Sequence, residues 1–158
     1  MQGKATATAP SGPGIAVGES ATTQSEVLVV DDEPVTARGY ARALAAAGYK
    51  VSVAHDGREA AAMAKATPFD VIVSDIAMPD MDGLALLRTV REGDLDVPMI
   101  FMTGSPALES ALQAIEYGAF RYLLKPVAPD AMLEVVGRAV RVHRLARVRG
   151  IIPTSSRA

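Results

Sequence analysis

The sequence predicts an α/β fold with a parallel sheet and helices on both faces, and three observations carry that prediction. Short runs rich in Val, Ile and Leu alternate with amphipathic stretches five times between residues 26 and 147. The connections between them are only a few residues long, as in consecutive βα units with right-handed crossovers. Apolar residues make up 49% of the chain and aromatic ones only 4%, so an aliphatic core of ordinary size is available.

Residues 1–25 are dominated by Ala, Thr, Gly, Ser and Pro, with Lys4 and Glu19 the only charges. Such a segment offers too little apolar surface to offset the entropy of ordering, so it reads as a disordered leader. The domain is expected to begin at Glu26. Val27-Leu28-Val29-Val30 is a continuous apolar run, as a strand buried on both faces requires. Ala37, Tyr40, Ala41 and Leu44 then repeat at i, i+3, i+4 and i+7, which predicts a helix over 34–47 that stops at Gly48. A second strand follows at 50–54 and an alanine-rich helix at 58–66. The third strand spans 69–74, its core being Val71-Ile72-Val73, and a loop rich in Asp, Met, Pro and Gly leads to a helix from about Leu84 to Arg91. Pro98 to Met102 is the fourth strand, 107–117 the fourth helix with Gly118 at its end, and 119–124 the fifth strand. The last helix starts near Pro129 and runs past Arg147.

Bulk properties exclude several functions. A net charge of −2 lacks the basic surplus with which nucleic-acid binders neutralise phosphates. There is no cysteine, hence no disulfide, thiol catalysis or cysteine metal site. No apolar run approaches the roughly 20 residues of a membrane span, and the first residues lack the apolar core of a secretion signal. These features point to a soluble, cytoplasmic domain.

In doubly wound sheets ligands bind beyond the carboxyl ends of the strands. At those ends stand Asp31-Asp32-Glu33-Pro34, then Asp75, then Thr103-Gly104, then Lys125-Pro126. Each has a plain structural reading alone: an acidic run before proline starts a helix, and Lys-Pro or Thr-Gly starts a turn. Together they assemble carboxylates that repel one another and call for a cation. Oxygen donors without His or Cys suit Mg²⁺. An Asp carboxylate beside a lysine and a hydroxyl can act as nucleophile toward a phosphoryl donor.

From about Glu26 to Val142 the chain resembles the receiver domain of two-component response regulators. The residues that carry the resemblance are Val-Leu-Val-Val-Asp31-Asp32-Glu33-Pro34, Asp75-Ile-Ala-Met-Pro79-Asp80-Met-Asp82-Gly83, Met-Thr103-Gly104 and Gly118-Ala-Phe-Arg-Tyr122-Leu-Leu-Lys125-Pro126. It implies a five-stranded flavodoxin-like sheet of order 2-1-3-4-5 over residues 26–142, with residues 143–158 as a helical extension and tail. It also implies a phosphorylation-dependent switch that takes a phosphoryl group onto Asp75 from a histidine kinase or phosphotransfer protein, and that is no turnover enzyme. By the same resemblance Asp32, Asp75 and the backbone carbonyl of Ala77 bind Mg²⁺ (or Mn²⁺), with Asp31 acting through water. Lys125 pairs with the phosphoryl group, backbone N–H groups near Ala77 and Gly104 add hydrogen bonds, and the Lys125–Pro126 bond is cis. Thr103 and Tyr122 form the switch, the hydroxyl moving to the phosphate and the ring turning inward. The fourth helix, fifth strand and fifth helix form the face that meets an output domain, a downstream protein or a second copy of the domain.

Arg121 departs from the acidic residue that pairs across dimers of winged-helix regulators. Two rival readings are a receiver-like domain that no longer uses phosphate and a phosphatase of the haloacid dehalogenase type. The intact set of site residues speaks against the first. Against the second, Ala77 stands two residues after Asp75, where that class has a second Asp. His55 and His143 read as surface residues. The arginines at 138, 141, 144 and 147 read first as a solvated helix face, while Val135, Ala139, Val142 and Ala146 form a heptad-like stripe able to seat a partner.

Overall fold

The computed structural model describes residues 24–93, 95–105 and 107–148; the expected leader up to residue 23 and the tail from residue 149 lie outside the described residues. Five strands and five helices alternate: β1 (Glu26–Val30), α1 (Pro34–Ala46), β2 (Lys50–Ala54), α2 (Gly57–Ala66), β3 (Val71–Asp75), α3 (Gly83–Glu92), β4 (Met99–Thr103), α4 (Leu108–Glu116), β5 (Arg121–Leu124) and α5 (Pro129–Val148). The strands are parallel and ordered β2-β1-β3-β4-β5, as expected.

The continuous apolar runs of β1, β3 and β4 are buried on both faces because period-2 alternation sends their side chains into two separate cores. Leu28, Ile72, Met99 and Phe101 pack with Leu86, Leu87 and Val90 of α3 on one side. Val27, Val29, Val71, Val73 and Ile100 pack with Ala37 and Leu44 of α1 and with Met132, Val136 and Ala139 of α5 on the other.

Two strand ends reach further than the apolar runs suggest. β3 includes Asp75, which pairs with Met102, and β4 includes Thr103, which pairs with Leu124. The ladder therefore carries both polar residues into the sheet itself. β5 begins only at Arg121, although the Phe120 N–H already donates to the Met99 carbonyl at 2.8 Å. Helix starts follow local chemistry: Asp56 accepts from the Glu59 N–H to open α2, and Asp82 accepts from the Ala85 N–H to open α3. Gly118, at φ +86°, ends the α4 segment in the left-handed region where glycine costs least.

α5 corrects three expectations. Val135 and Ala139 are buried in the domain's own core while Val142 is exposed, so the stripe is split between core and surface. Arg144 and Arg147 are not simply solvated, since both approach the Asp70 carboxylate at the foot of β3, at 3.7 and 4.0 Å. His143 is buried rather than on the surface, because it continues the buried helical stripe of Val136, Ala139 and Val140 and lines a pocket with Phe120 and Asp96. His55 is exposed, as expected, with its Nδ1 3.4 Å from the Asp31 carbonyl oxygen. Among the described residues no helix is long and apolar enough to cross a membrane.

Candidate functional site

The carboxyl edge of the sheet gathers the site. Asp31 leaves β1 fully buried, and its Oδ1 accepts the Glu33 N–H at 3.0 Å, closing the turn into α1. That helix has Pro34 in its first turn and no side-chain cap, so the acids before it are not spent on capping. Asp32, the next residue, is exposed. Asp75 enters from the end of β3, and oxygens of Asp31, Asp32 and Asp75 all lie within 4.8 Å of one another. Lys125 directly follows β5 and is joined to Pro126 by a cis peptide bond. Its Nζ lies 3.0 Å from Asp31 Oδ2 and 3.3 Å from Asp75 Oδ2.

Three carboxylates face one ammonium here, and the protonation equilibria register the imbalance. Burial pushes the Asp75 carboxyl above its usual value and the Asp31 charge adds to this, outweighing Lys125 and a hydrogen bond from the Ala77 backbone. Burial by itself lowers Lys125, but its hydrogen bond and charge contact with Asp31, then those with Asp75, carry it above the usual lysine value. The excess of hard oxygen donors, with Asp32 open to solvent, fits a hard divalent cation such as Mg²⁺. Ala77, two residues after Asp75, is exposed.

Thr103 is buried, its Oγ1 accepts the Ser105 N–H at 3.2 Å, and its carbonyl accepts the Lys125 N–H at 2.8 Å. Gly104 is exposed beside Lys125, leaving its backbone approachable. Tyr122 is paired with Phe101 and packs against the core on the α3 side. Its hydroxyl is already buried, with no hydrogen-bond partner among the described residues. The Tyr122 residue as a whole is half-buried.

The structure shows how Gly83 shapes this site and adds one residue, Ser74, that the sequence did not single out. Gly83 packs so closely on the end of β3 that a Cβ there would sit 2.6 Å from the Asp75 carbonyl oxygen. Ser74, wholly buried, donates to that same oxygen at 2.8 Å. The only signal for Ser74 in the sequence is a polar residue interrupting an apolar strand.

Comparisons with known proteins agree on what this architecture is similar to. The family model described as response regulator receiver domain matches residues 27–137. The C4-dicarboxylate transport transcriptional regulatory protein DctD of Pseudomonas aeruginosa is 42% identical over 123 residues, 77% of this chain and 26% of DctD. The transcriptional regulatory protein TrcR of Mycobacterium tuberculosis is 38% identical over 130 residues, 82% of this chain and 46% of TrcR. This chain thus spans a quarter to a half of these relatives. Among solved structures, the chemotaxis protein CheY4 of Vibrio cholerae superposes with a TM-score of 0.71 at 34% identity, over 74% of this chain and 99% of CheY4.

Proposed function

This chain belongs to the response regulator receiver family of phosphorylation-dependent two-component signalling, and on that premise we propose that Asp75 is its phosphoacceptor. The observation that carries the reading is the Asp75 carboxylate at the end of β3, 3.3 Å from Lys125 and grouped with Asp31 and Asp32. The donor is the phosphohistidine of a histidine kinase or phosphotransfer protein. One Asp75 oxygen forms the new O–P bond as the donor's N–P bond breaks, and the nitrogen keeps the bonding pair and leaves as imidazole. When bound, Mg²⁺ (or Mn²⁺) would be held by Asp32, Asp75 and the Ala77 carbonyl, with Asp31 acting through water, and would supply positive charge that offsets the carboxylates and the phosphoryl oxygens.

Lys125 gives up its bond to Asp75 and pairs with the incoming phosphoryl oxygens while keeping Asp31. Backbone N–H groups near Ala77 and Gly104 supply further donors. A new dianionic group draws in the Thr103 hydroxyl, which accepts the Ser105 N–H here. The Tyr122 ring turns inward to fill the space that the Thr103 hydroxyl vacates, because a packed edge responds by repacking. Repacking along α4, β5 and α5 then alters binding of an output domain, a downstream protein or a second copy of this chain. The domain works in the cytoplasm, as an acceptor rather than a turnover catalyst, and does not itself bind nucleic acid.

Incubation with Mg²⁺ and acetyl phosphate tests this. A single base-labile phosphoryl group is expected by mass spectrometry, and none in Asp75→Asn, because an amide is no nucleophile. A group on another residue, or one undiminished in that variant, overturns the reading.

A further inference from the structure

We propose that Ser74 is a positioning residue for the phosphoacceptor, its buried hydroxyl holding the Asp75 carbonyl and so fixing the peptide plane that aims the Asp75–Ala77 segment. The inference rests on the reading of Asp75 as acceptor.

β3 runs Val71-Ile72-Val73-Ser74-Asp75 with every residue buried. A hydroxyl in such a strand is costly unless it is bonded, and any small apolar residue would fill the volume without that cost. The Ser74 hydroxyl is bonded, and its partner is the acceptor residue itself: Oγ donates to the Asp75 carbonyl oxygen at 2.8 Å.

That carbonyl and the Ile76 N–H belong to one peptide plane. The Ile76 N–H donates across the sheet to the Met102 carbonyl at 3.2 Å. The plane is thus held at both of its polar atoms, by β4 on one side and by Ser74 on the other. With both atoms bonded, ψ of Asp75 and φ of Ile76 cannot drift without losing a hydrogen bond. Gly83 closes the space around the same group. A Cβ at position 83 would lie 2.6 Å from the Asp75 oxygen and 2.9 Å from the Ile76 Cα, and the Gly83 N–H donates to the Ile76 carbonyl at 2.8 Å.

The next backbone N–H but one, that of Ala77, hydrogen-bonds the Asp75 carboxylate. Rotation of the 75–76 plane moves that donor relative to the reacting oxygen. Without the Ser74 hydroxyl, one of the two restraints is gone and a buried carbonyl loses a partner. The fault then appears in the maximal rate of phosphorylation, while weak capture of a small donor is untouched.

Full-length wild type, Ser74→Ala and Ser74→Cys are compared for phosphorylation by acetyl phosphate at saturating Mg²⁺, with thermal melting recorded alongside. Cysteine keeps nearly the volume of serine but is a weak donor, so it separates the hydrogen bond from packing. Both variants are expected to lose about tenfold in maximal rate, the scale of a small misplacement of reacting groups, with the half-saturating donor concentration unchanged. Wild-type maximal rates in Ser74→Cys, whatever its melting temperature, would overturn the proposal and leave Ser74 a structural residue. Asp75→Asn runs in parallel: if wild type and this variant are phosphorylated alike, the acceptor assignment itself fails and the role of Ser74 with it.

Discussion

At the scale of single residues, two adjacent acids have been given different work by their surroundings. Asp31 is buried, binds Lys125 at 3.0 Å and closes the turn with the Glu33 N–H, while Asp32 faces solvent. Their order in the sequence shows both as acids at a strand end, but nothing in Asp-Asp says which will be enclosed. Removing Asp32 takes one like charge from the group without opening a cavity. Asp32→Ala is therefore expected to keep or slightly raise the melting temperature and to weaken Mg²⁺ binding at least tenfold, about 1.4 kcal/mol. Calorimetric titration with Mg²⁺ checks this, and equal affinities would remove Asp32 from the ligand set.

At the scale of elements, helix ends and helix extensions decide what the site feels. The α3 N-terminus bears on the Asp75–Ile76 segment through Gly83, and its cap is Asp82. Asp82→Ala should cost about 1 kcal/mol in urea unfolding, the usual worth of a lost cap, and slow phosphorylation because the helix start supports the Asp75–Ile76 segment. A normal rate at reduced stability would separate the cap from the site. α5 carries a pH dependence of its own. Burial pushes the His143 imidazole below its usual value and the nearby Arg147 and Arg144 add to this, against Asp70 and Asp96. The unfolded chain then binds the proton more readily than the folded one. Stability is undiminished above the unfolded value of about 6.5 and falls as pH drops from there through the folded value. His143→Phe should flatten that part of the stability–pH curve; an unchanged slope between wild type and variant would assign it to other groups.

At the scale of the whole molecule, most of the exposed large apolar residues lie on α4, β5 and α5, with Val35 of α1 apart from them. Leu112 and Ile115 of α4, Leu124 of β5, and Val142, Leu145 and Val148 of α5 are all more than half exposed. Tyr122 lies on β5, and β4, which ends in Thr103, pairs with both β5 and the Asp75 end of β3. An effector need only prefer one packing of these elements to be controlled by phosphorylation, and its differential affinity sets how far it shifts the balance. Beryllofluoride, added with Mg²⁺ as a phosphoryl mimic, should change hydrogen exchange in α4, β5 and α5 as well as in the loops around Asp75. Changes confined to those loops would place the output on another face.

Much of this was legible in the sequence because its signals are local. Period-2 runs, helical spacing and chain order are enough to predict a parallel sheet, and they put Asp31, Asp32, Asp75, Thr103 and Lys125 at strand ends on one edge. The resemblance to receivers added the strand order, which the structure shows. What no local pattern holds is the rotation and depth of each side chain, because those are set by contacts between residues far apart in the chain. Lys125 reaches Asp31 across 94 residues of sequence. Tyr122 packs with the core on the α3 side, and His143 lies on the buried face of α5 with Val136, Ala139 and Val140. Ser74 reads as a polar residue in an apolar strand until the ladder to Met102 shows that it holds the second polar atom of one peptide plane. Alternation along the chain decided the fold and which residues meet; packing across it decided which of them are buried, paired and aimed.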